Sequence, residues 1–162
     1  MPAWLAELLQ AVSGSPVAAL LRESATVYLL LNAAHILAIG LTIGSIAALD
    51  FRILGLFRSV PLDALATPLS RIAASGVIIA AATGLLLFSV RPLAYVENPA
   101  FLAKVTLVAA GVLNALLLRA NWRWRAAQLG GRLPLTAKLA AAASLLIWAS
   151  AVVAGRWIGF LQ

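Results

Sequence analysis

Long apolar stretches with almost no charge in their interior constrain this chain more than any other feature. They lie at about 26–49, 71–90, 99–118 and 136–160, and each is long enough to cross a bilayer, since a helical span needs about 20 residues. Only 10% of the residues are charged and 64% are hydrophobic, whereas a soluble domain has about 25% charged residues. The sequence therefore predicts an all-α protein, a four-transmembrane-helix bundle forming one membrane domain over residues 1–162.

The residues outside these stretches predict the helix ends. Residues 2–22 suit a short interfacial helix with one apolar side, followed by a helical turn that Ser15 caps. Span one is expected to continue towards Phe57 and to end at residues 59–61. Pro68 is expected to kink or break a lead-in helix before span two. Gly130-Gly131 predicts the turn between spans three and four.

Lysine and arginine residues are concentrated in two of the connections. The first and third connections hold eight of the 12 cationic residues: Arg52, Arg58, Arg71, Arg119, Arg123, Arg125, Arg132 and Lys138. The positive-inside rule places both connections in the cytoplasm and both termini outside, in the inner membrane of a bacterium. Trp122 and Trp124 among these arginines indicate an interfacial belt, so the expected partner is the lipid bilayer and not nucleic acid.

Few residues of this chain are able to bind a metal. The chain has no Cys, its one Met is Met1, and its one His is His35. These counts exclude thiolate metal sites, iron–sulfur clusters and a copper site built from soft sulfur ligands. Any metal or haem held by a side chain is therefore expected to use His35.

His35 lies about nine residues into span one, roughly 14 Å deep at the rise of an α-helix. That depth is close to the midplane of the bilayer, where ionisable groups usually face the interior of a bundle. Two interpretations remain open. His35 is an axial ligand or a proton carrier, or it is a neutral histidine hydrogen-bonded to Asn32, Thr42 or a polar group of a neighbouring helix.

Three cations are expected at one level above His35, on the outer side. Arg91 ends span two, while Lys104 and Arg156 each lie about one turn inside an apolar stretch. Together with His35 they predict an outward-facing pocket for an anionic ligand, a carboxylate or a phosphate. The alternative is that these side chains extend to the lipid headgroups.

Other polar residues of the spans have structural interpretations. Asp50 and Arg52 are expected to form an ion pair or a helix cap, and Asn114 an interhelical hydrogen bond. Gly40, Gly44 and Ala48 line one side of span one, roughly opposite His35, and predict close packing with another helix. Such a surface also suits a homo-oligomer or a membrane partner protein.

Three motifs resemble those of a family of uncharacterised four-span bacterial membrane proteins. They are His35 followed by Asp50-Phe51-Arg52, Asn98-Pro99-Ala100-Phe101 followed by Lys104, and Gly155-Arg156-Trp157-Ile158-Gly159. The resemblance covers nearly the whole chain from Tyr28 onward. It implies a four-span fold and no particular activity.

More distantly, the layout is similar to HemJ-type protoporphyrinogen oxidases and to the CopD copper-resistance domain. The HemJ-type family binds haem b and has a key histidine in span one and a key lysine in span three. The resemblance implies these roles for His35 and Lys104, and places the arginine that follows the histidine at Arg52. The residues before Arg52 depart from the HemJ-type pattern, so the resemblance extends to haem binding more than to porphyrinogen oxidation. The lack of Cys and of internal Met argues against copper.

Three functions are compatible with these observations, and the sequence leaves open whether the protein is an enzyme. The first is a haem- or quinone-linked redox protein, in which His35 is a ligand and Arg91, Lys104 and Arg156 pair with propionates. The second is a non-catalytic membrane subunit or scaffold that packs through its small-residue faces. The third is a small transporter, for which Ser75-Gly76 and Thr83-Gly84 are the only hints of an interrupted helix.

Overall fold

A computed structural model describes residues 2–121, 124, 127 and 132–161 of the chain. Its helices are α1 (Ala3–Ser13), α2 (Pro16–Glu23), α3 (Ala25–Leu54), α4 (Leu62–Phe88), α5 (Pro92–Glu97), α6 (Pro99–Ala120) and α7 (Leu135–Trp157), and a 3₁₀ turn (Ile158–Phe160) follows α7. These residues include no strand. The predictions on Trp122, Arg123, Arg125 and Gly130-Gly131 lie outside the described residues.

Four of these helices are long and apolar enough to cross a membrane. They are α3, α4, α6 and α7 with its 3₁₀ turn, which have 30, 27, 22 and 26 residues. Large apolar side chains point outward along them, as Ile78 (69% exposed) and Leu146 (71% exposed) illustrate. An apolar exterior of this kind suits contact with lipid rather than with water. The predicted all-α, four-helix membrane bundle is confirmed.

The first long helix extends beyond the predicted span of about 26–49. Ser24 caps its start by accepting a hydrogen bond from the backbone N–H of Val27. At the other end, Gly55 adopts a left-handed conformation with φ of 112°, and its N–H bonds to the carbonyls of Phe51 and Arg52. This glycine C-cap ends α3 at Leu54, between the predicted end of the span near Leu49 and the predicted limit of its continuation at residues 59–61.

The helix α4 runs without a break from Leu62 to Phe88 and includes Pro68. The predicted break at Pro68 is therefore wrong. Pro68 lies near the start of the helix, where its missing N–H removes a single hydrogen bond, and Ala66 beside it is buried in the core. The helix is equally continuous through Ser75-Gly76 and Thr83-Gly84, so the hint of an interrupted span is not borne out.

The N-terminal residues form two helices that meet at 57°. Ser15 caps the second one by accepting from the N–H of Ala18, with Pro16 at its first position, as predicted. The first helix packs against α5, and the second packs against the beginning of α3 and against α4. Both helices therefore lie at the end of the bundle where α5 connects α4 to α6.

The four long helices do not pack as a closed ring. The largest contact joins α3 to α4, α7 packs against both α3 and α6, and α4 and α6 hardly touch within the described ranges. At one end the gap between α4 and α6 is bridged by the ring cluster of Phe88, Tyr95 and Phe101, whose centroids are 5.2–5.9 Å apart. Below that cluster, α4 and α6 make little contact with each other.

The closest approach of two helices is not where the sequence predicted it. A Cβ atom built on Gly40 or Gly44 meets nothing within 4 Å, so this side of α3 faces outward. The tight contact lies on the other side of α3, where a Cβ on Gly76 of α4 would lie 2.9 Å from the Ala38 carbonyl and would also clash with the Thr42 hydroxyl. The close contact between α3 and α4 lies on the side of α3 that carries His35, because the glycines that allow the close approach belong to α4.

A second close seam joins α6 to α7. A Cβ on Gly111 would lie 2.9 Å from the Trp148 ring. One turn further along α6, the Asn114 side-chain amide donates to the Ala140 carbonyl at 3.0 Å, which confirms the predicted interhelical hydrogen bond. At the end of the bundle near residue 98, the Asn98 side chain caps α6 and donates to the Ile158 carbonyl at 3.3 Å. These contacts fix α6 and its Lys104 relative to α7.

Candidate functional site

His35 faces the interior of the bundle and bonds to a hydroxyl of the neighbouring helix. Its Nδ1 lies 2.9 Å from the Oγ1 of Thr83 on α4. The Thr83 hydroxyl itself donates to the Ile79 carbonyl at 2.7 Å, so its single proton is used within its own helix. Thr83 therefore accepts from His35, and the hydrogen-bond network assigns the ring proton to Nδ1. The Ala80 carbonyl, which can only accept, also interacts with the ring.

This assignment has a direct chemical consequence for the other ring nitrogen. With the proton on Nδ1, the Nε2 of a neutral His35 carries a free lone pair. Histidines that ligate metals typically donate Nδ1–H to a carbonyl, carboxylate or water, which fixes the ring and makes Nε2 more basic. Thr83 provides an acceptor of the same kind. The ring is thus oriented as a ligand or as a general base.

Gly84 makes the space that the His35 ring occupies. A Cβ atom at this position would lie 3.1 Å from Cε1 of the ring, which is closer than ordinary van der Waals contact. Thr83 and Gly84 are adjacent in α4, so one turn of this helix both orients the imidazole and leaves room for it. Neither residue was predicted from the sequence to belong to the site. Their adjacency within an apolar span was the available signal, and it was interpreted as a break in the helix.

Lys104 is the cation that the fold brings to this region. It lies in the second turn of α6, and its side chain packs on Gly155 of α7, where a Cβ would lie 3.4–3.7 Å from its last three atoms. The positive charge of the Lys104 ammonium group interacts electrostatically with His35. Two pairs of residues thus contribute to the site: His35 of α3 contacts Thr83 of α4, and Lys104 of α6 packs on Gly155 of α7.

The other two predicted cations do not join this region. The Arg156 guanidinium lies over the Phe160 ring at 5.1 Å from its centroid, and the side chain is exposed. Arg91 is exposed at the start of α5. Arg156 follows Gly155 directly, and a helix turns about 100° per residue, so it projects away from the interior that Gly155 faces. A role of Arg91 and Arg156 in binding a ligand stays a prediction.

His35 is the imidazole that this region offers as a possible metal ligand. Among the residues that the structure describes, no three His, Cys, Asp or Glu side chains form a group that could hold a metal. A porphyrin supplies four nitrogen ligands itself and needs only one or two more from the protein. A single imidazole such as His35 is compatible with that requirement.

Residues 19–161 match the model of a protein family described as a family of unknown function. The chain belongs to the DUF6644 family. The DUF6644 match spans the four long helices and every residue of the site, including His35, Thr83 and Lys104. The chain matches no curated protein and no solved structure.

Proposed function

We propose that this protein is a membrane redox protein that binds haem b, in which His35 would hold the haem iron and Lys104 would pair with a propionate. The observation that supports this most is the 2.9 Å contact between His35 Nδ1 and the Thr83 hydroxyl, which orients the ring and leaves Nε2 as the nitrogen available to a ligand. Neutral imidazole is a common axial ligand, and charge-assisted hydrogen bonds are the strongest that a propionate forms. When bound, the haem supplies the electron-transfer chemistry, while the protein binds it and tunes its potential.

The arrangement of α4 and α6 supports the same proposal. The sparse contact between α4 and α6 gives an apolar molecule a route from the bilayer towards His35 and Lys104. A haem or a quinone reaches such a site without crossing water. The distant similarity to HemJ-type proteins agrees with haem at these two residues. The third position of that comparison, Arg52, is engaged elsewhere, because its Nε donates to the Val60 carbonyl at 2.7 Å.

The proposal includes an orientation in the inner membrane of a bacterium. The cationic first and third connections lie in the cytoplasm, and both termini lie outside. The packing of α1 against α5 is compatible with this, since it puts the N-terminal helices at the same end as the connection between α4 and α6. In this orientation, His35 and Lys104 lie in the outer half of the bundle.

An absorption spectrum tests the proposed function. The purified protein in detergent, produced with adequate haem supply, is expected to show a Soret band that shifts on reduction with dithionite. A colourless protein under these conditions would contradict the haem proposal. It would favour instead a quinone at the same two residues, or the scaffold function described below.

Replacing Lys104 by methionine is expected to weaken haem binding about 10-fold or more, because a hydrogen bond to a charged group contributes about 1.5–3 kcal/mol. The affinity is measured by titrating haem into the haem-free protein. The matched control is Lys138→Met, which removes an exposed lysine at the start of α7. Equal affinities of the two variants would exclude Lys104 from the ligand site.

A non-catalytic scaffold is the second candidate, and one observation favours it. The outward side of α3 exposes Gly40 and Gly44 together with the polar side chain of Asn32. Exposed glycines allow a helix to approach closely in lipid, and an exposed amide can bond across the contact. A second copy of this chain or another membrane protein would pack on this side.

A further inference from the structure

A carboxyl group is buried in the half of the bundle away from His35. Asp50 is only 5% exposed on the inner side of α3, one turn before Ile53 of the apolar core. Its Oδ2 has no hydrogen-bond partner among the described residues. The hydroxyl of the buried Ser144, on α7, interacts with the same carboxyl group through a hydrogen bond. Asp50 therefore lies beside the apolar core, with the Ser144 hydroxyl as a polar neighbour of its carboxyl group.

Among the described residues, no charged side chain neutralises the negative charge that an ionised Asp50 would carry. The ion pair predicted with Arg52 is absent, because Arg52 bonds to the Val60 carbonyl instead. The remaining charged residues of α3 and of the helices packed on it, α2, α4 and α7, are exposed: Arg22, Glu23, Asp63, Arg71, Lys138 and Arg156. Burying an unpaired carboxylate costs several kcal/mol, and a bound proton removes that charge.

We propose that Asp50 is a proton-binding site, whose carboxyl group holds a proton in the resting protein and exchanges it with water. An O–H bond forms at Oδ2 as an O–H bond of a hydronium ion breaks and leaves a water molecule, and the reverse transfer returns the proton to water as hydronium. Asp50 follows His35 by fifteen residues, which is about 22 Å along α3. This site is separate from the proposed haem site, and the failure of one proposal leaves the other intact.

Infrared spectroscopy of the full-length protein tests this proposal. At neutral pH the wild-type protein is expected to show the C=O stretch of a protonated carboxylic acid, which lies apart from the amide bands. The band is expected to be absent in Asp50→Asn and to remain in Asp63→Asn, a matched control at the exposed start of α4. It is also expected to shift in D₂O and to disappear at alkaline pH.

Each other outcome overturns the proposal. A wild-type protein without the band has an ionised Asp50, and a band that persists in Asp50→Asn belongs to another group. A band that does not shift in D₂O belongs to a proton that does not exchange. If Asp50→Asn does not fold, Asp50→Glu replaces it. The longer side chain is expected to move the band to a different frequency, and an unmoved band would assign it elsewhere.

Discussion

Replacing His35 by alanine is expected to remove essentially all haem absorbance from the purified protein while leaving the bundle assembled. His35 is the one imidazole of the chain, which has no Cys and no internal Met that could take its place as a ligand. Its ring lies beside Gly84, so the substitution leaves a space and introduces no clash. The measurement is the ratio of Soret to protein absorbance, with size-exclusion chromatography as the check on assembly.

Two further variants sharpen this result. Thr83→Val removes the acceptor of the Nδ1–H bond at nearly constant volume, and the loss of such a partner typically lowers metal affinity about 10- to 100-fold. Asn32→Ala, an exposed polar residue of the same helix, is the matched control and is expected to keep its pigment. An unchanged spectrum in His35→Ala would show that the ligand assignment is wrong.

Replacing Gly76 by alanine is expected to destabilise the protein by about 1–3 kcal/mol, the usual cost of overpacking. The added methyl group would lie 2.9 Å from the Ala38 carbonyl and would also meet the Thr42 hydroxyl. Backbone atoms of α3 have little freedom to move away, so α3 and α4 must separate along their contact. The measurement is the thermal unfolding midpoint in one detergent.

The matched control for this variant is Gly40→Ala. Both glycines lie inside a long helix, where alanine is intrinsically favoured by about 1 kcal/mol. A Cβ on Gly40 meets nothing within 4 Å, so this variant is expected to be as stable as the wild type or slightly more stable. Equal midpoints for the two variants would contradict the packing of α3 on α4.

The number of long helices and their approximate positions were predictable because length and hydropathy depend only on local sequence. The helix ends were less predictable. Gly55 ends α3 by adopting a left-handed conformation, and several glycines and prolines nearby were equally plausible candidates. Pro68 was given too much weight, because a single missing hydrogen bond near the start of a packed helix does not stop it.

The candidate site was predictable in part. His35 and Lys104 were identified because polar residues are rare in apolar spans, and the structure brings both into one interior. Thr83 and Gly84 were missed, and Arg91 and Arg156 lie apart from the pair. In a membrane, the side of a helix that faces lipid is as apolar as the side that faces the bundle, so the hydrophobic pattern does not fix how each helix is rotated. That rotation decides which residues meet.

The sparse contact between α4 and α6 has a consequence for how any reactant would be supplied. A molecule that enters there comes from the hydrocarbon phase, where partitioning concentrates apolar compounds far above their level in water. Saturation would then follow the mole fraction of the reactant in the bilayer, and diluting the protein with extra lipid would slow turnover even at a fixed total amount of reactant. Detergent micelles and liposomes of different lipid content would accordingly give different apparent affinities for the same molecule.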